Sequence, residues 1–214
     1  MKPRFLVLFI ILLTFHHILV CEFLRGFPES MTESPKFHVW MGEGKNHTDE
    51  YLKAQFKRLE EAGVDGVMYL CPPERYPAVI AIADRFGLEV HAWQVILNCR
   101  DKEVMEKHND WFTVNGKGES SLDHPPFVGY YKWLCPTNEE VQEYIINKVS
   151  YLADIPGLKS VHLDYIRHSD VILPIGLWDK YGLVMDREYP EFDFCYCDVC
   201  IQKFKKQNSN LSNN

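Results

Sequence analysis

Apolar and polar positions fall into repeating blocks from about Phe37 onward. Phe37-His38-Val39-Trp40 has the look of a short strand. Asn46 to Thr48 then offer helix caps, Leu52, Phe56 and Leu59 recur at helical spacing, and Gly63 stands where a helix ends. Gly66 to Leu70 is a second strand, stopped by Pro72 and Pro73. Val79, Ile82, Ala83 and Phe86 share one face of a second helix, closed by Gly87. Leu88 to Ile96 is a third strand, followed by an aromatic-rich loop from about Asn98 to Trp133. Pro136 and Thr137 open a third strong helix, Thr137 with Glu140 reads as a capping box, and Val141, Ile145, Val149 and Leu152 make its buried face. Pro156-Gly157 breaks the chain before a fourth strand, Ser160 to Tyr165.

Strict alternation of strand and helix predicts an α/β fold with a parallel sheet and right-handed crossovers. A doubly wound sheet and a barrel both have this order. Gly42-Glu43-Gly44 has only the start of a dinucleotide-type glycine turn, so no such cofactor site is expected. A complete (β/α)8 barrel has eight strands and about 250 residues. The expectation is therefore a partial (β/α)8 TIM barrel of about four βα units, a truncated domain over residues 36–206. With two unpaired sheet edges, such a half barrel is expected to be marginal as a free monomer.

Residues 1–21 read separately. Lys2 and Arg4 precede an apolar run from Phe5 to Phe15, the layout of a secretory signal peptide. A membrane anchor is the competing reading, since Ile18 to Val20 prolongs the run, and Cys21 is a candidate for lipidation despite bulky Val20 before it. Either reading predicts export or a cell-envelope location. Residues 207–214 are Asn/Ser-rich and are expected to be a disordered tail. The formal net charge is −7 and no basic stripe is present, which argues against a nucleic-acid partner. Lys203, Lys205 and Lys206 form a short patch on what reads as a polar tail.

Reactive groups of parallel barrels stand at the C-terminal ends of strands. The fourth strand ends His162-Leu163-Asp164-Tyr165-Ile166-Arg167, and alternation puts His162 and Asp164 on one side. A carboxylate on a buried strand needs a partner or an open mouth, and Arg167 is near enough in sequence to pair with it. Under a sugar ring, such a carboxylate attacks the anomeric carbon or stabilises an oxocarbenium ion; a purely structural ion pair fits the spacing equally well. On the third strand His91 and Trp93 share a face. A Trp there can stack on a pyranose and a His can bond a hydroxyl, or both can belong to the core. Trp111, Phe112, Tyr130, Tyr131 and Trp133 lie in the long loop, either over a sugar site or pinning the loop down.

Seven cysteines fit an oxidising compartment. Cys195-Tyr196-Cys197-Asp198-Val199-Cys200 is the sharpest local pattern. A disulfide with a longer-range partner, a structural metal completed by Cys135 or a His, and free or redox thiols all fit it.

Cys135 to Ile145 followed by Val161 to Arg167, together with Val90-His91-Ala92-Trp93, His108 to Phe112 and Phe194 to Cys200, resembles the bacterial glycosyl-hydrolase-like family of TIM-barrel proteins. The resemblance runs from about Phe37 to Phe204 and covers the N-terminal half of such a barrel. It implies a carbohydrate-active protein that hydrolyses O-glycosyl bonds without a cofactor. By similarity to retaining barrels of the amylase type, Asp164 would be the nucleophile, with His91, Trp93, Trp111, His162, Tyr165 and Arg167 shaping the sugar site. The general acid would come from a later strand and has no counterpart here; Glu188, Glu191 and Asp193 sit at no strand end. A non-catalytic carbohydrate-binding surface protein would need no second acid. A metal-dependent deacetylase or hydrolase would use His91, His162 and Asp164 as ligands.

Overall fold

A computed structural model describes residues 34–44 and 47–209. The chain divides into two units, Met1–Phe37 and His38–Asn214. Of the first, only residues 34–37 are described, and they carry no regular structure. The signal-peptide reading of residues 1–21, the lipidation reading of Cys21, the cap reading of Asn46 and the end of the tail from Asn210 lie outside the described residues.

The second unit contains a parallel sheet of β1 (His38–Gly42), β2 (Gly66–Leu70), β3 (Glu89–Val95) and β4 (Ser160–Asp164), in that spatial order. Each strand is added on the same side of its predecessor. A doubly wound sheet reverses direction at its switch point; this sheet runs on without reversal, as the first half of a (β/α)8 barrel does. Right-handed crossovers that always step the same way put every connecting helix on one face.

That face is where the core sits. Helix α1 (Asp49–Glu61) starts at Thr48, whose Oγ1 accepts from the Tyr51 N–H, and buries Leu52 and Phe56. Helix α2 (Tyr76–Ala83) buries Tyr76, Val79, Ile80, Ile82 and Ala83, then tightens into a 3₁₀ turn that Gly87 ends with φ 66°. These side chains close over Val67 and Tyr69 of β2 and over Val90 and Ala92 of β3. The Tyr76 hydroxyl donates to the Tyr69 carbonyl (2.8 Å) and accepts from Gln94 Nε2 (3.2 Å), so its burial leaves no polar atom stranded.

Burial along β3 alternates residue by residue: Val90, Ala92 and Gln94 are buried, while His91, Trp93 and Val95 are half-buried. Trp40, Met68, His91, Trp93, His162 and Asp164 share the second face and belong to neither apolar cluster. Trp40 is 61% exposed. A half barrel would present its inner face in this way.

The long connection after β3 is more ordered than the loop expected from its sequence. It holds α3 (Lys102–Lys107), a 3₁₀ turn at Asn109–Trp111, and antiparallel bridges Asn98–Trp133, Phe112–Leu134 and Val114–Ser120. Trp111, Phe112, Trp133 and Leu134 form a second apolar cluster against Val141 of α4 (Glu139–Ala153). The capping box expected at Thr137 and Glu140 is replaced by a different start. Asn138 caps the helix by accepting from the Glu140 N–H (2.9 Å), while the Glu140 carboxylate takes the Trp111 indole N–H (2.8 Å). After β4 come α5 (Trp178–Tyr181) and α6 (Asp198–Gln207). Lys203, Lys205 and Lys206 therefore lie on a helix, and Gln207 ends it rather than beginning a disordered tail.

The register of β2 against β3 rests on Gly66. A Cβ there would stand 2.8 Å from the Glu89 carbonyl oxygen and 2.8 Å from His38 Cδ2. Gly66→Ala should cost about 1–3 kcal/mol, read as a lower midpoint in urea unfolding. Wild-type stability would contradict this strand pairing.

Candidate functional site

The site forms at the C-terminal end of β3 and β4, on the face opposite the helices. Register pairs Trp93 with His162 and Val95 with Asp164. The Trp93 indole Nε1–H donates to Asp164 Oδ2 (2.9 Å), and the Tyr165 backbone N–H donates to Asp164 Oδ1 (2.7 Å). Both carboxyl oxygens are thus acceptors with lone pairs to spare. The Asp164 backbone carbonyl accepts from Ile96 N (2.9 Å), which ties the two strand ends together. Half-buried Asp164 stays open to approach at the sheet rim.

Beside it, the His162 ring meets Trp40 edge-on with centroids 5.8 Å apart. Trp40 was not among the residues singled out from sequence. Its signal was the alternation within β1, which puts it in phase with His38 and opposite the core residues Val39 and Met41.

The expected Asp164–Arg167 pair does not form. Tyr165 takes a left-handed backbone (φ 53°), which ends β4 and turns the chain. The Arg167 guanidinium instead pairs with Asp170 (3.2 Å), donates to the His168 carbonyl (2.9 Å), and lies over the rings of Trp133 (5.3 Å) and Tyr165 (5.6 Å). Tyr165 packs with Tyr131 and Trp133, and burial, with Tyr165 nearby, pushes the Tyr131 hydroxyl up to about 12. So Tyr165 and Arg167 form an aromatic–cation cluster next to Asp164, with only the Tyr165 N–H touching the carboxylate.

Trp111 is placed elsewhere. It is 7% exposed, stacks on His108 (3.9 Å) and is bonded to Glu140 in the second apolar cluster. His91 lies two residues before Trp93 on the strand. Its Nδ1 is bonded with Ser160 Oγ (2.8 Å), and its ring meets His38 edge-on (4.8 Å). His38, Glu89 and His91 form one group of ligand atoms within 4.8 Å, so the metal trio His91, His162 and Asp164 considered from sequence is not assembled. Glu191 is paired with Lys117 (3.2 Å), and Asp193 accepts from the Tyr196 hydroxyl (2.5 Å).

The second group of ligand atoms within 4.8 Å is Cys135, Cys195, Cys197 and Cys200. Cys135 is fully buried before α4, and the other three sit at the start of α6. Hydrogen bonding with the Cys195 thiol outweighs burial and pulls Cys135 down to about 4. The same contact, with burial, pushes Cys195 up, and burial raises Cys200 to about 11.

No family model and no curated protein matches the chain. Solved structures with a similar shape include the maltogenic α-amylase AmyB from Thermotoga neapolitana, at 12% identity and a TM-score of 0.47 over 68% of this chain and 42% of that one. An α-amylase from Lactobacillus plantarum matches at 15% identity and a TM-score of 0.46, over 68% of this chain and 41% of its own. The cyclic α-maltosyl-(1→6)-maltose hydrolase from Arthrobacter globiformis matches at 14% identity and a TM-score of 0.44, over 62% and 45%. This chain spans less than half the length of each.

If Trp93 and Asp164 are bonded across the strands, their removal should be non-additive. A double-mutant cycle of Trp93→Phe and Asp164→Ala should give a coupling of about 1–2 kcal/mol in chemical unfolding. Additive effects would mean that the bond contributes nothing.

Proposed function

We propose that this chain supplies the β1–β4 half of a glycoside hydrolase that cleaves O-glycosyl bonds in an oligo- or polysaccharide. The observation that carries the reading is Asp164. It stands at the C-terminal rim of a parallel sheet, on the face no apolar cluster covers, with both oxygens oriented by N–H donors. In a retaining reaction one Asp164 oxygen attacks the anomeric carbon as the glycosidic C–O bond breaks, and the departing oxygen takes a proton from a general acid. Water then releases the sugar from the glycosyl ester. The Trp93 and Tyr165 N–H groups hold the carboxylate in place while its charge is spent in the attack. Trp40 and Trp93 offer ring faces for a pyranose, and His162 a polar edge for a hydroxyl.

The second carboxyl group must stand about 5–5.5 Å from the first for retention, or about 6.5–9.5 Å for inversion. With Glu191 paired to Lys117 and Asp193 to the Tyr196 hydroxyl, the acid in this reading comes from a further strand. Residues 1–21 would direct it to the exterior or the cell envelope.

A non-catalytic carbohydrate-binding protein is the second reading, favoured by exposed Trp40, which stacking needs and proton transfer does not. One variant separates the two. In a complete homologue that carries the remaining strands, Asp164→Asn should abolish turnover of mixed polysaccharides and leave oligosaccharide affinity unchanged. Unchanged turnover would remove Asp164 from the chemistry; absent turnover in the parent, with binding retained, would favour the binding protein.

A further inference from the structure

We propose that Cys135, Cys195, Cys197 and Cys200 bind one zinc ion as a closed tetrathiolate site that anchors the segment after β4 to the connection before α4. Tetrahedral zinc with sulfur at about 2.3 Å puts its ligand atoms roughly 3.8 Å from one another. Here Cys135 Sγ lies 3.6 Å from Cys197 Sγ and 3.5 Å from Cys200 Sγ, and all four sulfurs fall within 4.8 Å of one another. That is close to the spacing of four ligands around one ion and far beyond the roughly 2.05 Å of a disulfide. Four sulfurs in such a cluster suit zinc or iron among the common metals, and zinc needs no redox partner.

The surroundings are those of a metal–thiolate centre. Polar groups of the connection before α4 meet the sulfurs: Val114 N–H donates to Cys195 Sγ (3.4 Å), and the Cys200 thiol is bonded with Thr137 Oγ1 (3.4 Å). Such bonds orient ligands and stabilise their charge. Cys197 stands at the N-cap of the ten-residue helix α6, and Cys200 lies in its first turn, where the helix dipole favours negative sulfur. Lys203 donates to the Thr137 carbonyl (2.8 Å) and brings a positive charge near a centre that would be dianionic. Binding is simple exchange: the cysteines that still carry S–H protons release them to solvent, zinc sheds its waters, and four Zn–S bonds form, with no change of oxidation state.

The anchor has a clear mechanical use. Between Ile166 and Gln207 only Ser169, Leu173 and Met185 are buried, and Ile166, Ile172, Ile175, Val184 and Phe204 stay exposed. Apolar burial there is too thin to hold a segment of that length, whereas Cys135 is fixed by its N–H to the Trp111 carbonyl (2.7 Å).

The test uses the full chain, purified without added chelator. Elemental analysis should find one zinc per chain, and exchange with cobalt should give the red-region d–d bands and near-ultraviolet charge-transfer bands of a tetrahedral cobalt tetrathiolate. Cys200→Ser should lose the zinc, and chelation of the wild type should open residues 166–197 to protease. Because a cysteine variant can misfold, the cobalt spectrum and thiol mapping of the wild type decide by themselves. Disulfides among these four cysteines with no bound metal, iron in place of zinc, or cobalt bands lacking thiolate character would each overturn the proposal.

Discussion

The hydrogen bond from the Trp93 indole to the Asp164 carboxylate joins β3 to β4 on the face that the helices leave bare. It exists because of how a parallel sheet grows. Right-handed crossovers that step in one direction stack α1 and α2 on one side, and the strand period of two sends every second residue to the other. On β3 that division is complete: Val90, Ala92 and Gln94 go under the helices, and His91, Trp93 and Val95 do not. A carboxylate among the first group would be sealed in apolar packing. In the second it meets an indole N–H, its neighbour's backbone N–H, and an open approach.

Two apolar clusters divide the work of holding this arrangement. The first fastens the helices to the back of the sheet; the second makes the connection after β3 a folded block beside the strand ends. Helix α4 bridges them, with Leu152 in the first and Val141 in the second. Tyr165 belongs to the edge of the second cluster, and its N–H is one of the two donors on Asp164. The position of the carboxylate is therefore set from both sides, by the sheet through Trp93 and by the block through Tyr165.

The strands and helices were legible because their periods are clean: Leu52 and Phe56 at helical spacing, and Val90, Ala92 and Gln94 alternating with His91, Trp93 and Val95. Strand ends shifted by a residue or two: β1 runs on past Trp40 to Gly42. Trp40 lies inside the strand that the sequence shows, but four residues of alternation do not say which face of the sheet the helices cover. Proximity in sequence suggested Arg167 for Asp164, but the left-handed turn at Tyr165 sends the guanidinium to Asp170 and the Trp133 ring. Trp111 was read as a possible site residue because composition cannot separate an aromatic over a cleft from one inside a small core. The meeting of Cys135 with the Cys195–Cys200 motif is a long-range contact, which local pattern can only offer as one option among several.

Trp93 holds Asp164 in place at an accessible rim. The chain has five tryptophans, each in a different setting, so their indole N–H resonances report separately in a ¹H–¹⁵N spectrum. Asp164→Ala should move the Trp93 indole peak upfield by far more than those of Trp111, bonded to Glu140, and Trp178, bonded to the Leu173 carbonyl. A Trp93 indole peak that stays where it was would show that the two side chains do not meet, and the site built on them would fall.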